Sequence, residues 1–513
     1  MKRKSPSLIG FLFFFLAFLI FHLAANAQIM FQNEFVRTNL YETKQTPDSG
    51  YISVGWWNGG TRQSACLVKT NSFGETIWTR MYGQSKDVIA FSTEMTSDGG
   101  YILNGSTYSG KVYLIKTDSN GDTLWTKNLG GVGSGFDSGR EVHQTLDGGY
   151  ILTGGTGNFG TGIYVIKTDS IGDVEWSRVF KNIKEDDISY SICQTADSGF
   201  VASGVLKIEH DNSDIVLIKM NSFGDTLWTK SYGGPGQDFA NCIQQTFNHG
   251  LVIGGYSNSF DSGGDALLLI TDSIGNLILS KTYSGTGFIH GFSVSQTADS
   301  GYVLSGNTNS FGVATWAPFV LKVNSVGDVL WAKAYADFQY GVAWSIKQTN
   351  DGGYVTAGAQ HEMMKLNSNG SSGCLELDAT PVVTNLPITH INNPINVTVA
   401  NTLNFPAYTE VISGIDIVNI CFSVGLNEIS KSESPLQVFP NPASESLIIT
   451  LPEFVNKGVI KFYNLVGEII LEENIFQVLN KEINLQNMTK GIYFIKVFNG
   501  EKTYSTKLIV EDD

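Results

Sequence analysis

The chain has 513 residues, 42% of them hydrophobic and only 16% charged, which supports a large core and argues against intrinsic disorder. Its formal charge of -15 repels phosphate backbones, so no nucleic acid is expected as a partner. Five cysteines are too few for a disulfide-built scaffold, and 56 glycines point to many tight turns.

Residues 1–27 read as a secretory signal. Lys2, Arg3 and Lys4 precede an apolar run over residues 8 to 23, and Ala25-Asn26-Ala27 is an A-x-A cleavage site. A membrane anchor is the rival reading. Cleavage removes three positive charges and takes the formal charge from -15 to -18. No later apolar stretch approaches the roughly 18 residues that span a bilayer, so no transmembrane segment is expected in the mature chain.

From residue 28 to 378 one motif returns seven times, as Asp48-Ser49-Gly50-Tyr51, Asp98-Gly99-Gly100-Tyr101, Asp147-Gly148-Gly149-Tyr150, Asp197-Ser198-Gly199-Phe200, Asn248-His249-Gly250-Leu251, Asp299-Ser300-Gly301-Tyr302 and Asp351-Gly352-Gly353-Tyr354. The spacing of 49 to 52 residues marks an array of one supersecondary unit. Each unit resolves into four short apolar segments, a to d. In the third copy these begin at Glu141, Tyr150, Ile163 and Asp173. The a–b turn carries the motif. The c–d turn is an Asx-Ser-x-Gly sequence such as Asp169-Ser170-Ile171-Gly172, where Asx bonds its own backbone and Gly accepts positive φ.

Four antiparallel strands per unit, with no helical period, predict an all-β fold: a seven-bladed β-propeller followed by a small C-terminal β-sandwich. Eight blades stay open if residues 380 to 422 fold onto the ring. Strand d carries Trp78, Trp125, Trp176, Trp228 and Trp331, with Leu279 in the fifth copy, which reads as a packing anchor between blades. Two segments compete to complete the last blade, one starting at Met30 and one at Cys374.

Strands c and d, as in residues 113 to 125 ending at Trp125, resemble the repeat of quinoprotein-type propellers, although the turn is shorter and the period longer. The array over residues 38 to 378 is similar to the Asp-Gly-Gly-Tyr repeat proteins secreted by Bacteroidota. The resemblance implies the fold and supplies no quinone-binding residue.

Residues 379–432, rich in Thr, Val, Asn and Pro, read as a β-rich spacer. Cys374 and Cys421 flank it and could pair. Cys193 and Cys242 are out of register by two positions, which disfavours a bridge between them, and Cys66 reads as a buried thiol. Residues 433–513 are a separate all-β module. Its Phe439-Pro440-Asn441-Pro442, Tyr463-Asn464-Leu465-Val466-Gly467, Lys490-Gly491-Ile492-Tyr493 and terminal Lys507-Leu508-Ile509-Val510 resemble the C-terminal sorting domain of type IX secretion. The resemblance implies the type IX machinery as a partner, export through the periplasm, and a secreted or outer-membrane surface location.

No catalytic constellation stands out. There is no Gly-x-Ser-x-Gly elbow or Walker loop, and no cofactor is expected. His361-Glu362-Met363-Met364-Lys365 lacks the second histidine of a zinc-protease helix. The c–d turns resemble calcium loops, but Phe73, Ile171, Phe223, Ile274 and Val326 stand where oxygen ligands must alternate, so no metal is expected. Asp-Ser-Ile and Asp-Thr-Leu triplets resemble the Bacteroidota O-glycosylation signal.

In an up-and-down blade the b–c and d–a loops share one face, and here they vary in length and sequence. Variable loops on a rigid scaffold carry function. The candidate ligand-binding residues are therefore Trp56, Trp57, Asp137, Arg140, His210, Asp211, Asp238 and Trp316, for a glycan or protein ligand. An enzyme reading would add Glu141 and Asp214 to the acids and bases of that face. A structural surface component is the third reading.

Overall fold

The computed structural model describes residues 28–424 and 436–510, apart from short internal segments, and the described residues form only strands, turns and bends. The expected signal lies outside the described residues. The chain divides into two compact units, residues 1–425 and 426–513.

In the first unit each repeat forms one antiparallel sheet with strands in the order a-b-c-d. The first sheet holds Thr38–Gln45, Tyr51–Asn58, Gln63–Thr70 and Thr76–Tyr82. The seventh holds Val342–Gln348, Tyr354–Ala359 and Glu362–Leu366, and takes its d strand, Ile29–Phe35, from the other end of the chain. Phe31 lies opposite Lys365 as Trp78 lies opposite Lys69, so Phe31 fills the anchor position of the seventh sheet. The Met30 segment thus takes the place for which Cys374 competed.

Strands b and c are buried on both faces because every sheet is packed between two neighbours. One apolar cluster fills each interface, and the last joins Phe31, Phe35 and Met363 of the seventh sheet to Leu40, Tyr51 and Met81 of the first. The sheets therefore close into a ring, a propeller-like arrangement. The anchor aromatics act across these interfaces: Trp78 meets Tyr101 at 6.0 Å, Trp125 meets Tyr150 at 5.9 Å and Trp331 meets Tyr354 at 5.6 Å between ring centroids.

The a–b motif is held by chemistry at its own turn. Asp98 Oδ1 accepts the Gly100 N–H at 3.0 Å, and Asp98 pairs with buried Lys116 at 2.8 Å. Lys116 Nζ also donates to the Thr117 carbonyl. A Cβ on Gly100 would lie 2.1 Å from that carbonyl oxygen, so only glycine fits.

Residues 379–432, expected as a spacer, show a different arrangement where they are described. From residue 376 onward the chain runs around the outside of the ring and adds a fifth strand to each sheet. Glu376–Asp378 pairs with the sixth sheet, Val382–Asn385 with the fifth, Thr389–Ile391 with the fourth and Asn396–Val399 with the third. Leu403–Phe405, Val411–Ile412 and Ile417–Val424 follow on the second, first and seventh. This belt pairs the outer edges that seven d strands would otherwise leave open. Among the described residues it forms no further sheet of its own. Cys374 is disulfide-bonded, whereas Cys66, Cys193 and Cys242 are free thiols.

The second unit is a five-stranded antiparallel assembly, Gln437–Phe439, Ser446–Tyr463, Ile469–Asn484, Gly491–Phe498 and Thr503–Val510, around a core that includes Ile449, Phe462, Ile495 and Leu508. Asn441 of the Phe-Pro-Asn-Pro motif donates to the Lys507 carbonyl and accepts the Ile509 N–H, both at 2.8 Å, which locks the motif onto the terminal strand.

Candidate functional site

The innermost strand of every sheet is interrupted at one place. The a–b pairing shifts register between Leu40 and Glu42, Ala90 and Ser92, Gly139 and Glu141, Ser189 and Ser191, Ala240 and Cys242, Gly291 and Ser293, and Ala343 and Ser345. The extra residue at each bulge is Tyr41, Phe91, Arg140, Tyr190, Asn241, Phe292 or Trp344. A bulge re-aims its side chain, and all seven line one cavity of about 110 Å³ at the centre of the ring.

These residues form a collar. Phe292 and Trp344 are 4.3 Å apart between centroids, Trp344 and Tyr41 5.9 Å, and Tyr41 and Phe91 4.8 Å. The Arg140 guanidinium lies 4.5 Å from the Phe91 ring centroid and 5.6 Å from that of Tyr190. Burial pushes the Tyr41 phenol pKa up, against the opposing pull of the Trp56 indole and the Arg140 charge.

One residue further along, a hydrogen-bonded hoop answers the N–H groups that follow the bulges. Glu42 accepts from the Thr93 N–H at 2.8 Å, Ser92 from Val142 at 3.3 Å, Glu141 from Ile192 at 2.7 Å and Ser191 from Ile243 at 3.0 Å. Ser293 accepts from Ile346 at 3.3 Å, and Ser345 from Thr43 at 3.1 Å, which carries the hoop across the closure. Cys242 occupies this level in the fifth sheet, where its thiol donates to the Val294 carbonyl instead.

Beneath lies a charged cluster. Lys44 pairs with Glu42 at 3.0 Å, and His143 is clamped between Glu94 and Glu141, the latter at 3.2 Å. Burial opposes the imidazolium, but Glu141 and Glu94 outweigh it and raise the His143 pKa to about 10. Glu141 is lowered to about 2 despite its burial, chiefly by the His143 charge.

On the loop side, an aromatic mouth adjoins the collar. His290, two residues before Phe292, has its ring 6.3 Å from Phe292 and 5.3 Å from Trp316. Phe288, 40% exposed, lies 5.9 Å from Trp316 at an interplanar angle of 31°. Tyr256 closes on His290 at 4.6 Å. Burial lowers the His290 pKa, which favours the neutral imidazole.

The eight sequence candidates separate clearly. Arg140 lines the cavity, Trp56 interacts with Tyr41 of the collar, and Trp316 forms the mouth. Trp57 packs against the core between the seventh and first sheets. Asp137 and Asp238 are fully buried and hold loops: Asp137 accepts from Gly131 N and Thr156 Oγ1, and Asp238 from Gly234 N and Ser259 Oγ. Asp211 is exposed on a turn, and His210 lies outside the described residues. The collar itself escaped sequence reasoning. Its signal was present, since each collar residue stands nine positions before the motif glycine, from Tyr41 and Gly50 to Trp344 and Gly353.

Residues 437–511 match the secretion system C-terminal sorting domain. The protein is thus exported through type IX secretion to the cell surface or the extracellular space. Over 93 residues in its C-terminal part the chain is 32% identical to β-agarase A of Zobellia galactanivorans, which covers 18% of this chain and 16% of that protein. The chain thus spans about a sixth of that relative. Among solved structures, the WD40 β-propeller domain of Doa1 is similar with a TM-score of 0.42 at 12% identity, over 66% of this chain and 97% of that one. Sqt1 from Chaetomium thermophilum is similar at 0.42 and 8% identity, over 67% and 99%. No helix among the described residues is long and apolar enough to cross a membrane, and no group of three or more His, Cys, Asp or Glu among them is placed to hold a metal ion.

Proposed function

We propose that this protein is an exported binding module, a seven-bladed propeller of the Asp-Gly-Gly-Tyr repeat type from Bacteroidota, addressed by a C-terminal sandwich. Its ligand, a glycan ahead of a protein, rests on the loop-side mouth of the ring. The observation that carries this reading is the aromatic path from Phe288 and Trp316 through His290 to Phe292 and Trp344. Rigid rings held at an accessible mouth offer stacking faces at little cost in conformational entropy. Binding of the secreted chain to a broad glycan array, with Trp316→Ala as control, tests it. Saturable binding lost in the variant supports the mouth, and a blank array removes the glycan.

An enzyme reading keeps one specific support. Burial, with the Asp238 charge behind it, raises the Asp214 pKa to about 6, the value of a general acid near neutrality. Polysaccharide turnover abolished in Asp214→Asn would select it.

A further inference from the structure

We infer that the cavity inside the collar, the axial neck of the ring, receives the anionic group of an acidic sugar, a uronate carboxylate or a sulfate ester, and that Arg140 is its receptor. The inference rests on the mouth being the binding site and names the class of ligand that would use it.

Arg140 carries the argument. Its guanidinium is half-buried, with Phe91 and Tyr190 packed around it. Rings packed around a guanidinium orient it without satisfying its N–H donors. Among the described residues the Arg140 side chain makes no hydrogen bond or ion pair, and its Nε is buried without a partner. A buried donor in that state costs free energy that an arriving acceptor recovers, and the planar fork of arginine matches a carboxylate or sulfate bidentately.

Size and charge agree. A cavity of about 110 Å³ is well below the roughly 300 Å³ at which pockets begin to enclose whole small molecules. It accommodates a carboxylate or sulfate and leaves the sugar ring outside, where Trp316 and Phe288 stand. Beside the phenols of Tyr41 and Tyr190 and the Cys242 thiol, the acidic and basic side chains around the neck are Arg140, Lys44, Lys347 and His143 against Glu42, Glu94 and Glu141, four potential cations to three anions. In a chain of formal charge -15 the axis is a local exception, and a low-dielectric neck focuses such a field.

The test is calorimetric titration of the secreted chain with trigalacturonate, a sulfated galactotetraose, its unsulfated counterpart and a Glu-rich peptide. We expect the acidic sugars to bind at least tenfold tighter than the neutral one, with an advantage that shrinks as salt rises from 50 to 500 mM. Arg140→Met should remove that advantage at unchanged melting temperature, and Arg140→Lys should restore part of it. If Arg140→Met unfolds, Arg140→Gln and the salt titration of the wild type decide. Equal affinity for acidic and neutral sugars, an unaffected Arg140→Met, or binding of the peptide alone would overturn the inference. Neutral-sugar binding lost only in Trp316→Ala would overturn it and leave the mouth intact; no binding to any probe would remove both.

Discussion

Asn248 and Ile270, in the fifth sheet, together replace an Asp–Lys pair that the other six sheets all make. Those pairs are Asp48–Lys69, Asp98–Lys116, Asp147–Lys167, Asp197–Lys219, Asp299–Lys322 and Asp351–Lys365, at 2.8 to 3.0 Å. Each lysine is buried beneath its turn. Loss of both charges in one sheet leaves no orphan, which follows from the asymmetry between removing one partner and removing both.

A single substitution should therefore be worse than a double one. Asp98→Asn leaves Lys116 buried without its countercharge. Because Asp98 is 54% exposed, screening reduces the cost to roughly 1–2 kcal/mol, below that of a fully buried pair. Asp98→Asn with Lys116→Ile, which copies the fifth sheet, should recover most of the lost stability in thermal unfolding.

Stability should fall off at both ends of the pH range. Asp98, Asp197 and Asp299 are held at about 2, where hydrogen bonds from Lys and Thr outweigh desolvation. A depressed folded pKa stabilises above the unfolded value of 3.8, and the contribution is lost as pH falls towards 2. The raised His143 pKa acts oppositely: its contribution is complete below 6.5 and lost as pH rises through about 10. Denaturant unfolding across pH should show a plateau between these limits. His143→Gln should flatten the alkaline fall and also weaken the acid one, because the His143 charge is what holds Glu141 and Glu94 down.

The belt should be part of the folding unit. A chain ending at residue 378 keeps the seven repeats but loses the outer strands on all sheets except the sixth, which exposes edges prone to pairing with other chains. Light scattering should find that chain aggregated and a chain ending at residue 424 monodisperse. Equal behaviour of the two would show the belt to be dispensable.

Non-reducing peptide mapping should find Cys374 joined to Cys421. Gln32 lies opposite Cys421 in the strand register and donates to Ser372, which brings the two regions together. A bridge closing a loop of this length contributes about 4 kcal/mol in the chain-entropy account, so reduction should lower the melting temperature. Separate thiols at these positions would contradict the assignment.

The repeats, their turns and the anchor aromatics were legible because each leaves a local mark: Gly where a Cβ would clash, Asx at a turn, Trp at a fixed place. The belt was not. Its strands of two to eight residues pair through backbone along sheet edges, which requires no periodic side chain, and Val382 remains 65% exposed while paired. The collar was hidden for another reason. A bulge inserts a residue without a type preference, so Arg140 and Asn241 break what would otherwise read as an aromatic column. The acids at 137 and 238 looked like surface charges because sequence gives no sign that they turn inward to hold loops.

The most direct test of an axial binding site compares three variants against whichever array ligand the wild type retains. Trp344→Ala alters the collar, Trp316→Ala the mouth, and Trp57→Ala an aromatic packed away from the axis. Binding lost in the first two and kept in the third is the predicted result. Loss confined to Trp57→Ala, with the axial variants binding as wild type, would contradict the account.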